Sequence, residues 1–109
     1  MGDRALLVVT DGREIGCTVY LHWRGEEAVE ALKNAIPHMR KGDVPYSTAR
    51  LIGCLHMDDP DNNCGLGVFK ALKALPPTEA DSHGDAGIIT YNCETGEANA
   101  YHGYQANNK

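Results

Sequence analysis

The chain has 109 residues, of which 42% are hydrophobic and 23% charged, a composition typical of one globular domain rather than a disordered segment. The formal net charge of −5 resides wholly in residues 58–109, which carry eight acidic and three basic side chains. Because phosphate affinity comes from Lys and Arg, we expect no direct binding to nucleic acid. No apolar run approaches the ~20 residues of a membrane span, and the first residues do not resemble a signal peptide. We therefore expect a cytoplasmic protein that makes no membrane contact.

The cysteines agree with that compartment. The four are Cys17, Cys54, Cys64 and Cys93, and they form no Cys-x-x-Cys pair. Without a secretion signal, free thiols are expected in preference to disulfides.

Two strands are predicted at the start of the chain. Residues 4–10 are apolar on both faces, as in a strand inside a sheet. Asp11-Gly12 favours a tight hairpin turn, after which residues 13–22 pair back antiparallel. From Ile15 to Leu21 the apolar side chains alternate, which predicts one buried face made of Ile15, Cys17, Val19 and Leu21.

Two helices are predicted next. After Gly25 the apolar spacing becomes helical over residues 26–36, and Pro37 should end or kink that helix. Residues 46–57 fit either a helix or an alternating strand. We favour the helix, because Asp43 is suited to cap it and Pro45 is tolerated in a first turn.

The remaining elements complete a small α+β fold. We predict strands at 65–70, 86–92 and 97–103, with one helical turn at 71–75. The order β-β-α-α-β-β-β indicates a single antiparallel sheet of about five strands with both helices packed on one face. Residues 1–103 would form the domain, and the polar tail at 104–109 would fray.

Three groups of residues resemble a known set of proteins. They are Tyr20-x-His22-Trp23-x-Gly25 before an amphipathic helix, then Asp43-x-x-Tyr46-x-x-x-Arg50, then Gly65-x-Gly67. This pattern resembles small proteins encoded on phages and other mobile elements, including integron gene cassettes. The resemblance covers roughly residues 15–70 and implies a genetic setting in which inhibitors of host defence, anti-CRISPR proteins among them, also occur. It implies no catalytic residue.

Seven residues are candidates for contact with a protein partner: His22, Trp23, Tyr46, Arg50, Asp58, Asp59 and Asp61. Trp is the residue type most enriched at binding hot spots, although a lone Trp in a small domain more often closes the core. Tyr46 and Arg50 are one helical turn apart, so they share a helix face if the helix forms. The three aspartates add negative charge in one short loop.

Catalytic and metal chemistry have weaker support. The aspartate loop starts like a calcium-binding EF-hand, but Cys64 stands at the glycine position and Lys70 at the glutamate position. No Gly-x-Ser-x-Gly, phosphate loop or His-Glu-x-x-His motif is present. Only Cys54, His56 and Cys64 come near the spacing of a zinc or nucleophile site. We therefore name no catalytic residue, metal ligand or cofactor.

The sequence thus favours a non-catalytic accessory protein from a mobile element that acts by protein binding. One such role is to block a basic, nucleic-acid-handling defence complex. The alternative is a small Cys/His-dependent hydrolase or metal-binding protein. We also expect that the protein can form a homodimer, either through a sheet edge such as residues 97–103 or through an exposed helix face.

Overall fold

The computed structural model describes residues 2–107 and contains five strands and three helices. The strands are β1 (Ala5–Thr10), β2 (Thr18–Leu21), β3 (Gly67–Phe69), β4 (Gly87–Asn92) and β5 (Ala98–Tyr101). The helices are α1 (Ala28–Ala35), α2 (Val44–Asp58) and the single turn α3 (Tyr104–Asn107). Short 3-10 turns at Gly25–Glu27, Ile36–His38 and Glu79–Asp81 lie between them.

The strands form one sheet in the order β3-β2-β1-β4-β5. The predicted α+β class, the number of strands and their order along the chain with α1 and α2 are confirmed. The sheet is mixed rather than wholly antiparallel, because the central pair β1–β4 is parallel while its other pairs are antiparallel. Strands β1 and β4 both start at the same end of the sheet, since the long connection after β3 brings the chain back there before β4 begins.

The main core lies between the sheet and the two long helices. From the sheet it takes Ala5, Leu7, Val9, Val19, Leu21, Ile89 and Tyr91, and from the helices Ala28, Ala31, Leu32, Ala35, Val44, Leu51 and Leu55. Both long helices therefore lie on one face, as predicted.

The opposite face has a smaller core of Leu6, Val8 and Ile88. Leu72 packs on it, so the segment between β3 and β4 covers this face in place of a helix. The helical turn predicted at 71–75 is wrong, because residues 71–72 have no regular structure and residues 73–75 form bends.

The strand pattern before β2 is interrupted by a bulge. Ala5 pairs with Leu21, but Thr10 bridges to Ile15, so the two registers differ by one residue. An inserted residue reverses the facing of every side chain beyond it. Ile15 accordingly packs on the smaller core while Val19 and Leu21 face the helices, and the predicted common face is wrong for Ile15.

The helix boundaries follow from local signals. Helix α1 ends at Ala35, and Pro37 lies in the 3-10 turn that follows. Residues 46–57 are helical as favoured, and the Asp43 side chain accepts a hydrogen bond from the Tyr46 amide at the start of α2. Within residues 2–107, no helix has the length and hydrophobicity that crossing a bilayer requires.

The C-terminal segment forms α3 and makes hydrogen bonds to the domain. The Tyr104 hydroxyl donates to the Asp3 carboxylate over 2.6 Å, and Gln105 donates to the Gly25 carbonyl over 3.0 Å. The predicted fraying of the tail at 104–109 stays a prediction, and residues 108 and 109 lie outside the described part of the chain.

Replacing Leu32 by Ala tests the main core. Leu32 is 3% exposed, so removing its side chain should lower the free energy of unfolding by roughly 2–5 kcal/mol. Urea denaturation followed by circular dichroism measures the loss. Lys33→Ala, an exposed position on the same helix, serves as the control and should change stability by less than about 0.5 kcal/mol. An equally small loss for Leu32→Ala would mean that this stripe of α1 does not pack on the sheet.

Candidate partner-binding surface

The corner that follows β2 is pinned by backbone hydrogen bonds. The amides of His22 and Trp23 both donate to the Cys64 carbonyl, at 2.9 and 3.0 Å, and the Gly25 amide donates to the Asp3 carbonyl at 2.7 Å. These bonds hold the corner between the N-terminal segment and the residues just before β3. The Trp23 side chain remains 50% exposed, so the interpretation that it closes the core is wrong.

Trp23 borders an open cleft of about 490 Å³. The other lining residues are Arg24, Glu27, Asp58, Asp59, Asn63 and Cys64. The cleft therefore combines one aromatic wall with three carboxylates and a single guanidinium. Of the seven candidate residues, this cleft brings together Trp23, Asp58 and Asp59.

Arg24 joins the two helices beneath the cleft. Its Nε lies 3.2 Å from a Glu27 carboxylate oxygen, and its Nη2 lies 3.6 Å from the Asp58 carboxylate. Its side chain is only 18% exposed, so much of this positive charge is directed into the protein. Arg24 thereby offsets part of the negative charge of Glu27 and Asp58.

The loop after α2 is ordered by Asp59. Its carboxylate accepts the Cys64 amide at 2.7 Å. Hydrogen bonds from the Cys64 side chain and amide lower the pKa of Asp59 below its usual range. Burial raises the pKa of the Cys64 thiol, and the Asp59 carboxylate beside it acts in the same direction. The Cys64 sulfur is consequently held in its neutral form at pH 7, which does not suit a nucleophile.

An aromatic cluster, formed by Tyr20, His22, Phe69 and His83, lies on the other side of Trp23. The His22 ring packs edge-on to Trp23, with 4.7 Å between ring centroids, and its Nδ1 is 2.6 Å from the Tyr20 hydroxyl. The Tyr20 ring stacks on Phe69 at 5.1 Å, and Phe69 stacks on His83 at 5.7 Å. Phe69 is 45% exposed, so the cluster continues the apolar surface of Trp23.

Sequence reasoning missed Phe69 and His83 as parts of this surface. Tyr20 and His22 could be placed together from their alternate positions in one strand. Phe69 and His83 come from distant parts of the chain, and no spacing pattern in the sequence connects them to Trp23.

Tyr46 and Arg50 lie on α2 away from Trp23, and Arg50 lines a second cleft, of about 640 Å³, together with Asp58. The Arg50 guanidinium donates to the Tyr46 hydroxyl at 3.0 Å, and its carbon lies 4.9 Å from the ring centroid. The expected shared face is therefore present. Twelve residues separate Tyr46 from Asp58, which corresponds to about 18 Å along a helix, so the pair does not border the Trp23 cleft.

The acidic groups of residues 58–109 do not form one continuous face. Asp85 pairs with Arg4 at 2.9 Å, and Asp81 takes part in a capping box with Thr78. Glu94 and Glu97 lie around the turn between β4 and β5. Of these acidic groups, Asp58 and Asp59 border the Trp23 cleft, and the exposed Asp61 follows them in the same loop.

The proposed Cys54, His56 and Cys64 grouping is not assembled. Cys54 and His56 are two positions apart on α2, so their side chains diverge around the helix. Cys64 is 5% exposed and packs in the main core. Among residues 2–107, no three or more His, Cys, Asp or Glu side chains are grouped so that they could hold a metal ion.

Comparison of the chain with protein-family models, with curated proteins and with solved structures finds no match.

Alkylation tests the state of the Cys64 thiol. Because burial and Asp59 raise its pKa, native Cys64 should react with iodoacetamide at pH 7.5 at least about tenfold more slowly than it does in urea. Peptide mass spectrometry over a time course measures the rate at each cysteine. Cys54, which is more exposed, serves as the internal comparison. Preferential labelling of Cys64 in the native protein would contradict this account and would revive the nucleophile hypothesis.

Proposed function

We propose that the protein is a non-catalytic binding protein that holds a basic protein partner at the Trp23 cleft. The observation that carries the proposal is the half-exposed indole of Trp23 beside Glu27, Asp58 and Asp59. A rigid aromatic side chain supplies contact area at low conformational cost, while carboxylates around it select a positively charged partner.

The exposed apolar side chains support a docking role for this region. Trp23, Val68 and Phe69 are each between 45% and 51% exposed. Trp23 and Phe69 are connected through the His22 and Tyr20 rings, whereas Val68 faces the helix side of the sheet. Exposed apolar groups gathered in this way are typical of interaction sites, whereas single ones are common on any surface.

The carboxylates in and beside the cleft differ in whether they are already engaged in hydrogen bonds or ion pairs within the protein. Asp59 already accepts the Cys64 amide, and Asp58 is paired with Arg24 over a long 3.6 Å contact. Asp61 is exposed. We infer that Asp61 and Asp58 make the larger contribution to steering a basic partner, while Asp59 keeps the loop in shape.

The same proposal extends to the biological setting. The resemblance to mobile-element proteins favours an accessory role, and four free cysteines suit the cytoplasm. A basic channel that normally holds phosphates would be the natural target for an aromatic group ringed by carboxylates. We therefore propose an inhibitor of a nucleic-acid-handling complex, such as a bacterial defence effector.

Binding to purified defence nucleases, measured by the fluorescence of Trp23, tests the proposal. Trp23 is the only tryptophan in the chain, so the part of the emission change that is lost in Trp23→Ala reports on the cleft. Association should slow as ionic strength rises past ~0.1 M, where the screening length is near 10 Å. Trp23→Ala, followed by calorimetry, should weaken binding by about 2 kcal/mol or more, or roughly 30-fold.

Two matched double variants separate local from general charge effects. Asp58→Asn with Asp61→Asn removes one charge that borders the cleft and one in the same loop, and it leaves Asp59 in place. Glu94→Gln with Glu97→Gln removes two charges elsewhere. Only the first pair should slow association markedly. If both pairs behaved alike and Trp23→Ala had no effect, the acidic residues would serve solubility alone and the proposed function would fail.

A further inference from the structure

The outer edge of β3 is open to a further strand. Gly67–Phe69 pairs with β2 on one side, and no strand of residues 2–107 lies on its other side. Val68 is 51% exposed and Phe69 45% exposed. An edge strand with apolar side chains and no charge or proline within it is a template for strand addition.

The two ends of this edge carry opposite charge. The loop that leads into β3 contains Asp58, Asp59 and Asp61, while Lys70 follows β3 directly and is exposed. Lys73 lies away from this edge, because it lines a cavity with Thr10 of β1, Thr90 of β4 and Asn99 of β5, so Lys70 supplies the positive charge here. The two ends of the edge therefore differ in charge: the end where β3 begins is acidic, and the end where β3 stops is basic.

We propose that a second copy of the chain adds its own β3 to this edge in antiparallel orientation. A two-fold axis through Val68 would bring the acidic end of each copy to the basic end of the other. Such a pairing is self-complementary, as an isologous dimer interface requires. It would join the two sheets into one of ten strands and would satisfy the outward backbone groups of both β3 strands.

The side chains fit this register. Val68 would face the second copy's Val68 on the helix side of the sheet, because Val68 pairs with the core residue Val19 in its own copy. Phe69 would lie opposite the second copy's Gly67 on the other side. A Cβ placed on Gly67 would meet only Tyr20 Cδ2, at 3.9 Å, so the space above this glycine is open to an aromatic ring. Phe69 would then extend the second copy's aromatic cluster.

The opposite edge of the sheet is less suited to this role. Strand β5 presents Ala98, Asn99 and Ala100, which bury little apolar surface on pairing. Its last residue, Tyr101, is already partly buried, and Glu97 precedes the strand. The dimer expected through residues 97–103 is thus better placed at β3. This inference does not rest on the proposed function, since it needs only the outer edge of β3.

Sedimentation equilibrium over about 10 to 500 µM tests the inference. Because β3 has three residues, we expect weak, concentration-dependent association that raises the mass from 11.8 kDa toward twice that value. Val68→Lys sets two lysines against each other at the axis and should raise the dissociation constant at least about tenfold. Lys70→Glu makes both ends acidic and should weaken association in the same direction.

Two controls carry the same charge changes elsewhere. Asn99→Lys adds a lysine to the β5 edge, and Lys33→Glu reverses an exposed lysine on α1; neither should alter the dissociation constant. Circular dichroism checks that each variant is folded. If Val68→Lys does not fold, the dissociation constant of Lys70→Glu decides whether the proposed dimer forms. A wild-type mass of 11.8 kDa at every concentration would overturn the proposal. Dissociation of the dimer by Asn99→Lys would also overturn it. A further contrary result would be a monomer whose β3 amide signals in an NMR spectrum shift only when an extended peptide of unrelated sequence is added.

Discussion

The parallel pairing of β1 with β4 is the constraint on which the rest of the structure depends. It joins six residues on each strand, from Ala5 with Gly87 to Thr10 with Asn92, at the centre of the sheet. A parallel partner must enter from the same end as β1, so the chain needs a long return path after β3. That path supplies Leu72 to the smaller core and His83 to the aromatic cluster. It also brings Asp85 to Arg4, where a hydrogen bond from the guanidinium holds the pKa of the carboxyl below its usual range.

The sequence contained a signal for the parallel pairing of β1 with β4, but the prediction of a wholly antiparallel sheet did not use it. Residues 6–9 and the pair Ile88-Ile89 are apolar without alternation, as expected of strands buried on both faces. The number of strands and the helix boundaries were predictable because they depend on local periodicity, Pro37 and the Asp43 cap. The bulge before β2 was not, since an inserted residue leaves the alternation of Ile15 and Val19 intact in the sequence while it reverses their facing in the sheet.

The candidate site was predictable in its residue types more than in its assembly. Trp23 and the aspartate loop are 35 residues apart, and the Cys64 carbonyl connects them by accepting both corner amides. Nothing in their spacing indicated that contact. Tyr46 and Arg50 shared a face as helical spacing required, but position along α2 separated them from the cleft. The count of acidic residues in 58–109 also overstated how many of them could act together on one partner, because Asp81 and Asp85 are engaged in local structure.

The corner that holds Trp23 is tightly packed. A Cβ on Gly65, whose φ is +66°, would lie 2.8 Å from the His22 Cβ, and one on Gly25 would lie 2.6 Å from an Asp3 carboxylate oxygen. The N-terminal segment, the corner and the residues before β3 are closely packed here, and the Trp23 ring lies at the surface, where it is 50% exposed. Fully burying a large apolar side chain is worth about 1.5–3 kcal/mol, part of which this arrangement forgoes. A corner chosen for stability alone would be better served by a smaller or polar side chain at position 23. The half-exposed indole is therefore consistent with the proposed contact surface, in which its carboxylate neighbours would favour a basic partner.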